Sequence, residues 1–297
     1  MKICAACGSD GCDDGWACDQ CGNRPASVGG FTTFAPGLAS DGTGFREAFF
    51  SELAELEAGN FWFRARNDLI TWAMMTFFPD CRSFLEIGCG TGFVLRGISA
   101  AFPTAELSGS EVFTAGLAFA AQRVPSGRYY QMDARNIPFR EEFDVIGAFD
   151  VLEHIDEDET VIGEVYKALL PGGGFLLTVP QHPALWSPQD DHAYHVRRYA
   201  RPGLRRKLEA AGFEVVRTTS FVSLLLPLMV ASRVRLRAQA QDPGLDAIDA
   251  LRLPRAINVV LERVMQLERG LIRRGVSFPA GGSLLLAARK PNQSDPR

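Results

Sequence analysis

The segment FLEIGCGTGF, at residues 84–93, constrains the fold of this chain more than any other feature. It starts with a largely apolar run typical of a buried strand, continues through a glycine-rich turn, and leads into a helical pattern at Phe93. Because glycine lacks a Cβ, such a turn lets the backbone approach a ligand and point N–H groups at it from the start of the helix. Glu86 precedes the turn, and a carboxylate at this point suits an ammonium group better than a pyrophosphate.

Strand and helix patterns alternate around that segment. We predict strands at residues 83–87, 106–110, 127–131, 143–149, 175–179, 213–219 and 283–288, and helices at 45–57, 68–78, 92–101, 114–122, 158–169, 202–211 and 254–274. This alternation predicts an α/β fold with a doubly wound, mostly parallel, seven-stranded sheet. Ligands of such sheets bind at the carboxyl ends of the strands, which is where the glycine turn stands.

Acidic residues stand at further strand ends. Glu111 follows the second predicted strand, about twenty residues after the turn, where a carboxylate can hydrogen-bond ribose hydroxyls. Asp133 follows the third strand, and Asp150 follows the fourth. Since the carboxyl ends of parallel strands share one edge of a sheet, we expect these carboxylates to lie near the glycine turn.

Together these segments resemble the class I S-adenosylmethionine (SAM) methyltransferases. The resemblance rests on the glycine turn, on Glu111, and on the sequences MDA at 132–134, FDVLEHI at 149–155 and LPGGG at 170–174. It implies a Rossmann-like domain at residues 45–297 and methyl transfer from SAM, with S-adenosylhomocysteine as the product. The glutamate at 111 departs from the aspartate of many members and changes only the reach of the carboxylate. The GxGxG spacing disfavours a dinucleotide-dependent dehydrogenase, whose turn has the spacing GxGxxG.

The resemblance also implies which residues hold SAM. The turn would bind the methionine end, the acid at 111 the ribose and the acid at 133 the adenine, and the segment after the fourth strand would line the methionine side. The predicted cofactor site consists of Glu86, Gly88, Cys89, Gly90, Gly92, Glu111, Val112, Asp133, Ala134, Phe149 and Asp150. We interpret Cys89 as a backbone contact rather than a nucleophile, because a small residue fits this turn.

Two CxxC pairs near the N-terminus predict a metal site. Thiolates at this spacing can converge on one tetrahedral zinc ion, and the glycine after each pair permits a tight turn. The predicted ligands are Cys4, Cys7, Cys18 and Cys21, in a zinc ribbon at residues 1–30. A pair of disulfides, free thiols, or replacement of one ligand by Cys12 are the alternatives. Residues 31–44 are rich in glycine and threonine and are predicted to be a linker.

The loop after the fifth strand contains three of the four histidines. The candidate catalytic residues are His182, His192 and His195. Methyl transfer to oxygen or nitrogen needs a deprotonated acceptor, and histidine is a base near neutral pH. A structural network of Asp190, His195 and Arg198 is the alternative, and metal ligation by histidine and aspartate is a third interpretation. We expect His154, the fourth histidine, to cap and pack the following helix.

Residues 221–282 are predicted to form an insertion before the last strand. An apolar run at 221–230 precedes three arginines, and the helix at 254–274 has core-like spacing at Ile257, Val260, Leu261, Val264, Leu267 and Leu271. A cap, a homodimer surface, an apolar substrate channel and a peripheral membrane contact through residues 221–237 are the alternative interpretations. Three aromatic residues at 61–63, framed by arginines, favour either packing on the sheet or a lid over the ligand.

Charge and composition limit the partners. The net charge is −4 and the pI is about 5.7, so the chain lacks the basic field typical of nucleic-acid binding. No secretory signal and no apolar run of ~20 residues are visible, and we expect a cytoplasmic protein with reduced thiols. We therefore predict methyl transfer to an oxygen or nitrogen of a small-molecule or lipid-like acceptor. The alternatives are an RNA methyltransferase that uses the ribbon for recognition and a SAM-binding protein without catalysis.

Overall fold

The computed structural model describes residues 1–39, 47–238 and 252–292, which are built around one β-sheet. Its strands are β1 (Ala26–Val28), β2 (Phe31–Thr33), β3 (Ser83–Ile87), β4 (Glu106–Glu111), β5 (Arg128–Gln131), β6 (Phe143–Phe149), β7 (Leu169–Pro180), β8 (Glu214–Phe221) and β9 (Ser283–Arg289). The helices are α1 (Glu47–Leu56), α2 (Phe61–Phe77), α3 (Phe93–Ala101), α4 (Thr114–Arg123), α5 (Asp158–Ala168), α6 (Pro188–His192), α7 (Arg201–Ala210), α8 (Leu226–Ala238) and α9 (Arg255–Arg273).

The strand order is β1-β2-β5-β4-β3-β6-β7-β9-β8, and the prediction of a mostly parallel sheet is confirmed. The seven predicted strands correspond to β3 through β9. From β5 to β7 neighbouring strands are parallel, and β9 runs antiparallel between β7 and β8. The described sheet has nine strands rather than seven, because the hairpin of β1 and β2 continues it beside β5.

The prediction of a linker at residues 31–44 is wrong for its first part. Thr33 pairs with Gln131 of β5. The side-chain amide of Gln131 also bonds Ala35, donating to its carbonyl (2.8 Å) and accepting from its N–H (3.0 Å). The edge of β5 has backbone groups that need partners, and a short extended segment supplies them. Residues 40–44 lie outside the described part of the chain.

Alternate residues of the central strands face two separate cores. Phe84 of β3 packs with residues of α2 and α3, whereas Leu85 packs with residues of α5 and α7. Both side chains are fully buried. Helices thus cover both faces of the sheet, as a parallel sheet requires, and the carboxyl ends of its strands remain available for ligands.

Two predicted element boundaries are wrong. The helix α2 begins earlier than predicted, at Phe61, because the side chain of Asn60 accepts a hydrogen bond from the N–H of Trp62 (2.8 Å) and caps the helix. The strand β7 begins at Leu169, whereas the predicted strand began at residue 175. The register of β6 against β7 shifts there and accommodates the extra residues.

The N-terminal segment packs on the sheet. Trp16 is buried and contacts three aromatic rings, with centroids 4.6 to 5.9 Å away, in Phe34, Tyr130 and Phe139. Residues 1–30 are therefore attached to the sheet, because this tryptophan completes an aromatic cluster on β5.

The insertion predicted between the last two strands is confirmed, and its described part contains α8 and α9. The helix α9 packs on α2. The side chain of Asn258 accepts a hydrogen bond from the N–H of Phe61 (2.8 Å), and Glu262 accepts one from Arg64 Nε (3.0 Å). No helix among the described residues combines the length and hydrophobicity needed to cross a membrane.

The core-facing stripe predicted on α9 is wrong. Val260 and Leu267 are each 61% exposed and Ile257 is 48% exposed, whereas Leu261, Val264 and Leu271 are half-buried. The buried positions include Asn258 and Glu268. Glu268 accepts hydrogen bonds from the N–H groups of Ser223 (2.6 Å) and Leu224 (2.7 Å). These polar contacts hold the helix with several of its apolar residues outward.

Candidate active site

A cavity of about 670 Å³ opens at the carboxyl ends of β3, β4, β5 and β6. This volume lies in the range of small-ligand sites. Every residue of the predicted cofactor site lines the cavity except Gly92. The strand ends therefore converge on one cavity, as predicted. Gly92 does not line it and instead lets the turn pack closely against Ala120.

The three glycines of the turn have left-handed backbone conformations, with φ of 63° at Gly88, 50° at Gly90 and 75° at Gly92. A Cβ on Gly88 would lie 2.6 Å from Val151, and one on Gly92 would lie 2.7 Å from Ala120. A Cβ on Gly90 would meet only the ring of Phe50, at 4.0 Å, among the described atoms. Gly88 and Gly92 thus permit close packing, whereas Gly90 leaves space on the cavity side.

Glu86 lies at the end of β3 and is only 2% exposed. Its Oε2 atom has no hydrogen-bond partner within the described part of the chain. Burial raises the pKa of Glu86 to about 8, and the positive charge of Arg66 offsets this only in part. An unpaired carboxylate oxygen in the wall of a cavity is poised to accept a hydrogen bond from a cationic ligand group.

Glu111 joins the glycine turn to the end of β4. Its Oε2 accepts a hydrogen bond from the N–H of Gly90 (3.1 Å), and its Oε1 accepts one from the N–H of Val112 (2.8 Å). Asp133, after β5, accepts hydrogen bonds from the N–H (2.9 Å) and Nε (3.1 Å) of Arg135. Both carboxylates are thus held in place by neighbours while they line the cavity.

Arg66 of α2 connects the aromatic segment to the end of β6. Its Nε lies 2.6 Å from Asp150 Oδ2, and its Nη2 donates to the carbonyl of Phe149 (2.8 Å). Its guanidinium also lies over the ring of Trp62, 5.1 Å from the centroid. Asp150 itself has φ 58°, which is uncommon for a residue with a side chain. Of the two arginines around the aromatic segment, only Arg66 lines the cavity, since Arg64 bonds Glu262.

Glu57, which follows α1, is a cavity residue that the sequence did not indicate. It accepts hydrogen bonds from Thr91 Oγ1 (2.6 Å) and Arg123 Nη1 (2.6 Å) and is 6% exposed. Through Thr91 it fixes the glycine turn beneath α1. No local pattern could reveal this residue, because its partners are distant along the chain.

Two histidines, His154 and His195, form what we call the histidine wall of the cavity. Their rings meet edge to face with centroids 4.8 Å apart. The Nδ1 atom of His195 lies 3.1 Å from Asp190 Oδ1, and Arg198 Nη1 lies 2.7 Å from the same oxygen. The network of these three residues suggested by the sequence is therefore present, and it is attached to the cavity.

The other histidines have different surroundings. His182 and His192 are not among the described residues that line the cavity. His192 is exposed, and its Nδ1 lies 2.6 Å from the carbonyl of Pro188.

His154, which we expected only to cap and pack a helix, lies at the cavity because the loop bearing His195 folds back against it.

Two solved structures show the fold of this chain in other proteins. A phosphoethanolamine N-methyltransferase 2 of Haemonchus contortus, in complex with SAM, aligns with a TM-score of 0.58 and 19% identity over 85% of this chain and 59% of that one. The [4+2]-cyclase SpnF aligns with a TM-score of 0.53 and 22% identity over 76% of this chain and 80% of that one. The shared fold alone therefore does not determine the reaction.

Similarity in sequence is more specific. Residues 85–177 match the family model described as a methyltransferase domain. A Mycolicibacterium smegmatis protein named "Probable S-adenosylmethionine-dependent methyltransferase" is 29% identical over 160 residues, 52% of this chain and 60% of that protein. The trans-aconitate 2-methyltransferase of Variovorax paradoxus is 30% identical over 105 residues, 35% of this chain and 40% of that enzyme. Over this segment the chain therefore resembles methyltransferases that use SAM. It spans less than two thirds of the length of these relatives.

The cavity has a set of polar groups that fits SAM. Glu86 offers an unpaired oxygen to an ammonium group, and Gly90 leaves open space beside it. Glu111 and Asp133 line the same cavity from the next two strand ends. The residues present therefore fit the cofactor that the family implies.

The four predicted zinc ligands lie together near the N-terminus. Cys4 Sγ is 3.7 Å from Cys21 Sγ, Cys7 Sγ is 3.6 Å from Cys18 Sγ, and all four sulfurs lie within 4.8 Å of one another. Ligands of a tetrahedral zinc ion at its usual Zn–S distance stand about 3.8 Å apart. The cysteines are unbridged, and Cys12 is not part of this cluster of described residues.

Proposed function

We propose that this protein transfers a methyl group from SAM to an oxygen or nitrogen of a small-molecule or lipid-like acceptor. One observation supports this most strongly: the residues suited to SAM and the histidine wall line the same cavity. An acceptor placed against that wall would share a cavity of about 670 Å³ with the methyl donor.

The protein's own residues then have defined tasks. SAM supplies a methyl group that is already activated on a sulfonium, so the protein mainly aligns the acceptor and excludes water. Glu86 would bind the ammonium group, Glu111 the ribose and Asp133 the adenine. Phe63 and Trp62 line the same cavity, where they would shield it from water.

Activation of the acceptor is the task we assign to His195. Although burial opposes ionisation of Asp190, its hydrogen bond with His195 and the charges of Arg198 and Arg233 lower its pKa to about 2. An ionised Asp190 accepts a hydrogen bond from the N–H group at His195 Nδ1, and in this tautomer Nε2 has a lone pair. That lone pair can take the proton of an acceptor hydroxyl or amine.

Names of similar proteins support a small acceptor. One relative is named for trans-aconitate, and others, from Pseudomonas putida strains, are named ubiquinone biosynthesis O-methyltransferases. The net charge of −4 does not favour an RNA acceptor.

The test is a transfer assay with methyl-labelled SAM and separated cell fractions of small molecules, lipids and RNA. We expect the label in the small-molecule or lipid fraction. Label in RNA would contradict our choice of acceptor. Tight binding of S-adenosylhomocysteine without label in any fraction would instead favour a non-catalytic binding protein.

We also propose that Cys4, Cys7, Cys18 and Cys21 bind one zinc ion. The separations of their sulfurs support this, and metal binding would supply folding energy to a segment with little core of its own. Metal analysis of protein purified without oxygen should find one zinc ion per chain, and zinc-free, folded protein would contradict the proposal.

A further inference from the structure

A buried carboxylate lies behind the histidine wall. Glu153 is fully buried, and neither of its carboxylate oxygens has a hydrogen-bond partner among the residues that the structure describes. Arg66 and Arg198 are close enough to act on its charge, but Arg66 pairs with Asp150 and Arg198 with Asp190. An unpaired carboxylate in such a place is costly unless it is protonated or meets a cation.

The two histidines of the wall stand beside this carboxylate. One ligand atom from each of Glu153, His154 and His195 lies within 4.8 Å of the other two. The backbone holds them there, because the N–H of Val196 donates to the carbonyl of Glu153 (2.7 Å). The three side chains are therefore fixed next to one another from two separate segments.

The outer contacts of His195 are those of a metal ligand. Metal-binding histidines typically donate their second ring N–H to a carboxylate or carbonyl, which fixes the tautomer and orients the ring. His195 has this contact in Asp190. Asp190 is itself 1% exposed and held by Arg198, so the orientation of the imidazole is well determined.

We propose that Glu153, His154 and His195 bind one divalent first-row transition-metal ion. Two imidazoles and a carboxylate suit such ions and leave coordination positions open. His154 and His195 line the cavity whereas Glu153 does not, so the open positions would face the cavity. This site is separate from the cysteine cluster of the ribbon.

The ion would define the acceptor class, and this part rests on the proposed function. An acceptor with two adjacent oxygens could coordinate the ion through both. Coordination would lower the pKa of the acceptor's hydroxyl, so the hydroxyl would ionise at a lower pH than when free. Its proton would pass to water, and its oxygen would remain bound to the metal. His195 would then act on the acceptor through the ion, as a ligand, instead of taking the proton directly.

Cobalt substitution tests the site without any assay of methyl transfer. Metal-free protein is titrated with Co²⁺, and bound ions are counted while absorption is recorded. Thiolate ligands give charge-transfer bands that imidazole and carboxylate ligands do not give. We expect two ions per wild-type chain, the second without thiolate bands. A single ion with thiolate bands alone would overturn the proposal.

Three variants locate the second ion. Glu153→Gln and His195→Ala should each retain the thiolate-bound ion and lose the other. His192→Ala is the matched control, from the same loop but outside the described cavity lining, and should retain both. Calorimetry with S-adenosylhomocysteine checks that each variant is folded. A second ion bound by Glu153→Gln with wild-type affinity would refute the site, whereas a second ion without methyl transfer would refute only the proposed function.

Discussion

The cofactor half and the histidine half of the cavity are assembled in different ways. The cofactor half uses the turn at residues 86–92 and carboxylates at or just after the ends of adjacent strands, so each of its key residues belongs to a local sequence pattern. The histidine half joins His154 to His195 and depends on Asp190. A short motif therefore specifies the first half, whereas tertiary contacts between distant segments specify the second.

This difference predicts different responses to substitution. In the cofactor half, a change should act through space and backbone conformation and should alter SAM binding. In the histidine half, a change should alter the chemical step and leave SAM binding intact. Measuring SAM binding and turnover separately in each variant therefore tests whether the two halves differ in this way.

The largest effect on turnover is expected at His195. His195→Ala should lower the rate of methyl transfer by roughly 10²- to 10⁴-fold, the usual contribution of a group that handles the acceptor's proton. The affinity for S-adenosylhomocysteine should not change. His192→Ala, in the same loop, should retain wild-type turnover. Equal losses in both variants, measured by single-turnover kinetics, would show that the loop acts only as a structural unit.

The next effect is on stability and concerns the packing beside β5, a strand of the cofactor half. Trp16 packs on Tyr130 of β5, the strand that leads to Asp133. Trp16→Ala should lower the free energy of unfolding by about 3–5 kcal/mol, because it leaves a cavity in an aromatic cluster. Val28→Ala, at an exposed position of β1, should change it by less than about 0.5 kcal/mol. Chemical denaturation measures both, and similar values would mean that the N-terminal segment does not support the sheet.

The protonation of Glu86 gives a smaller, pH-dependent effect. With a pKa raised to about 8 by burial, Glu86 is mostly protonated at pH 7 in the free protein. Binding of an ammonium group favours the ionised form, so binding should release a proton, and affinity should rise by up to about tenfold per pH unit until pH 8.

Calorimetry in buffers of different ionisation enthalpy detects that proton. Glu86→Gln should bind SAM more weakly, with heats that do not depend on the buffer. Buffer-independent heats in the wild-type protein would show that Glu86 is already ionised before SAM binds.

The smallest effect tests how far the histidine half extends. Arg233 of α8 contacts the hydroxyl of Ser187 and lies 3.6 Å from Asp190 Oδ2, so the insertion reaches the partner of His195. Arg233→Met should lower kcat about fivefold, equivalent to about 1 kcal/mol, with no change in SAM affinity. Arg235→Met, at an exposed position of the same helix, should have no effect. If the two variants behave alike, the insertion does not position the histidine.

The difference between local motifs and tertiary contacts also explains which features the sequence could predict. The strand β3 and the helix α3 were predicted almost to the residue, because periodicity and glycine chemistry are local. The pairing of Thr33 with Gln131 was not, since a three-residue strand has no period of its own. The exposed apolar residues of α9 misled the prediction, because Asn258 and Glu268 face inward to satisfy backbone N–H groups. The role of His154 depends on a loop folding back, which no local pattern encodes.

Binding of SAM to the Gly90→Val variant tests the central claim most directly. Gly90 has φ 50°, and a Cβ there would point into space that the cavity keeps open. Calorimetry on folded protein should detect SAM binding to the wild-type chain and none to Gly90→Val, whose melting temperature should fall because a β-branched residue is strained at this φ. Wild-type affinity in Gly90→Val would contradict the claim that the turn at residues 86–92 holds the methyl donor.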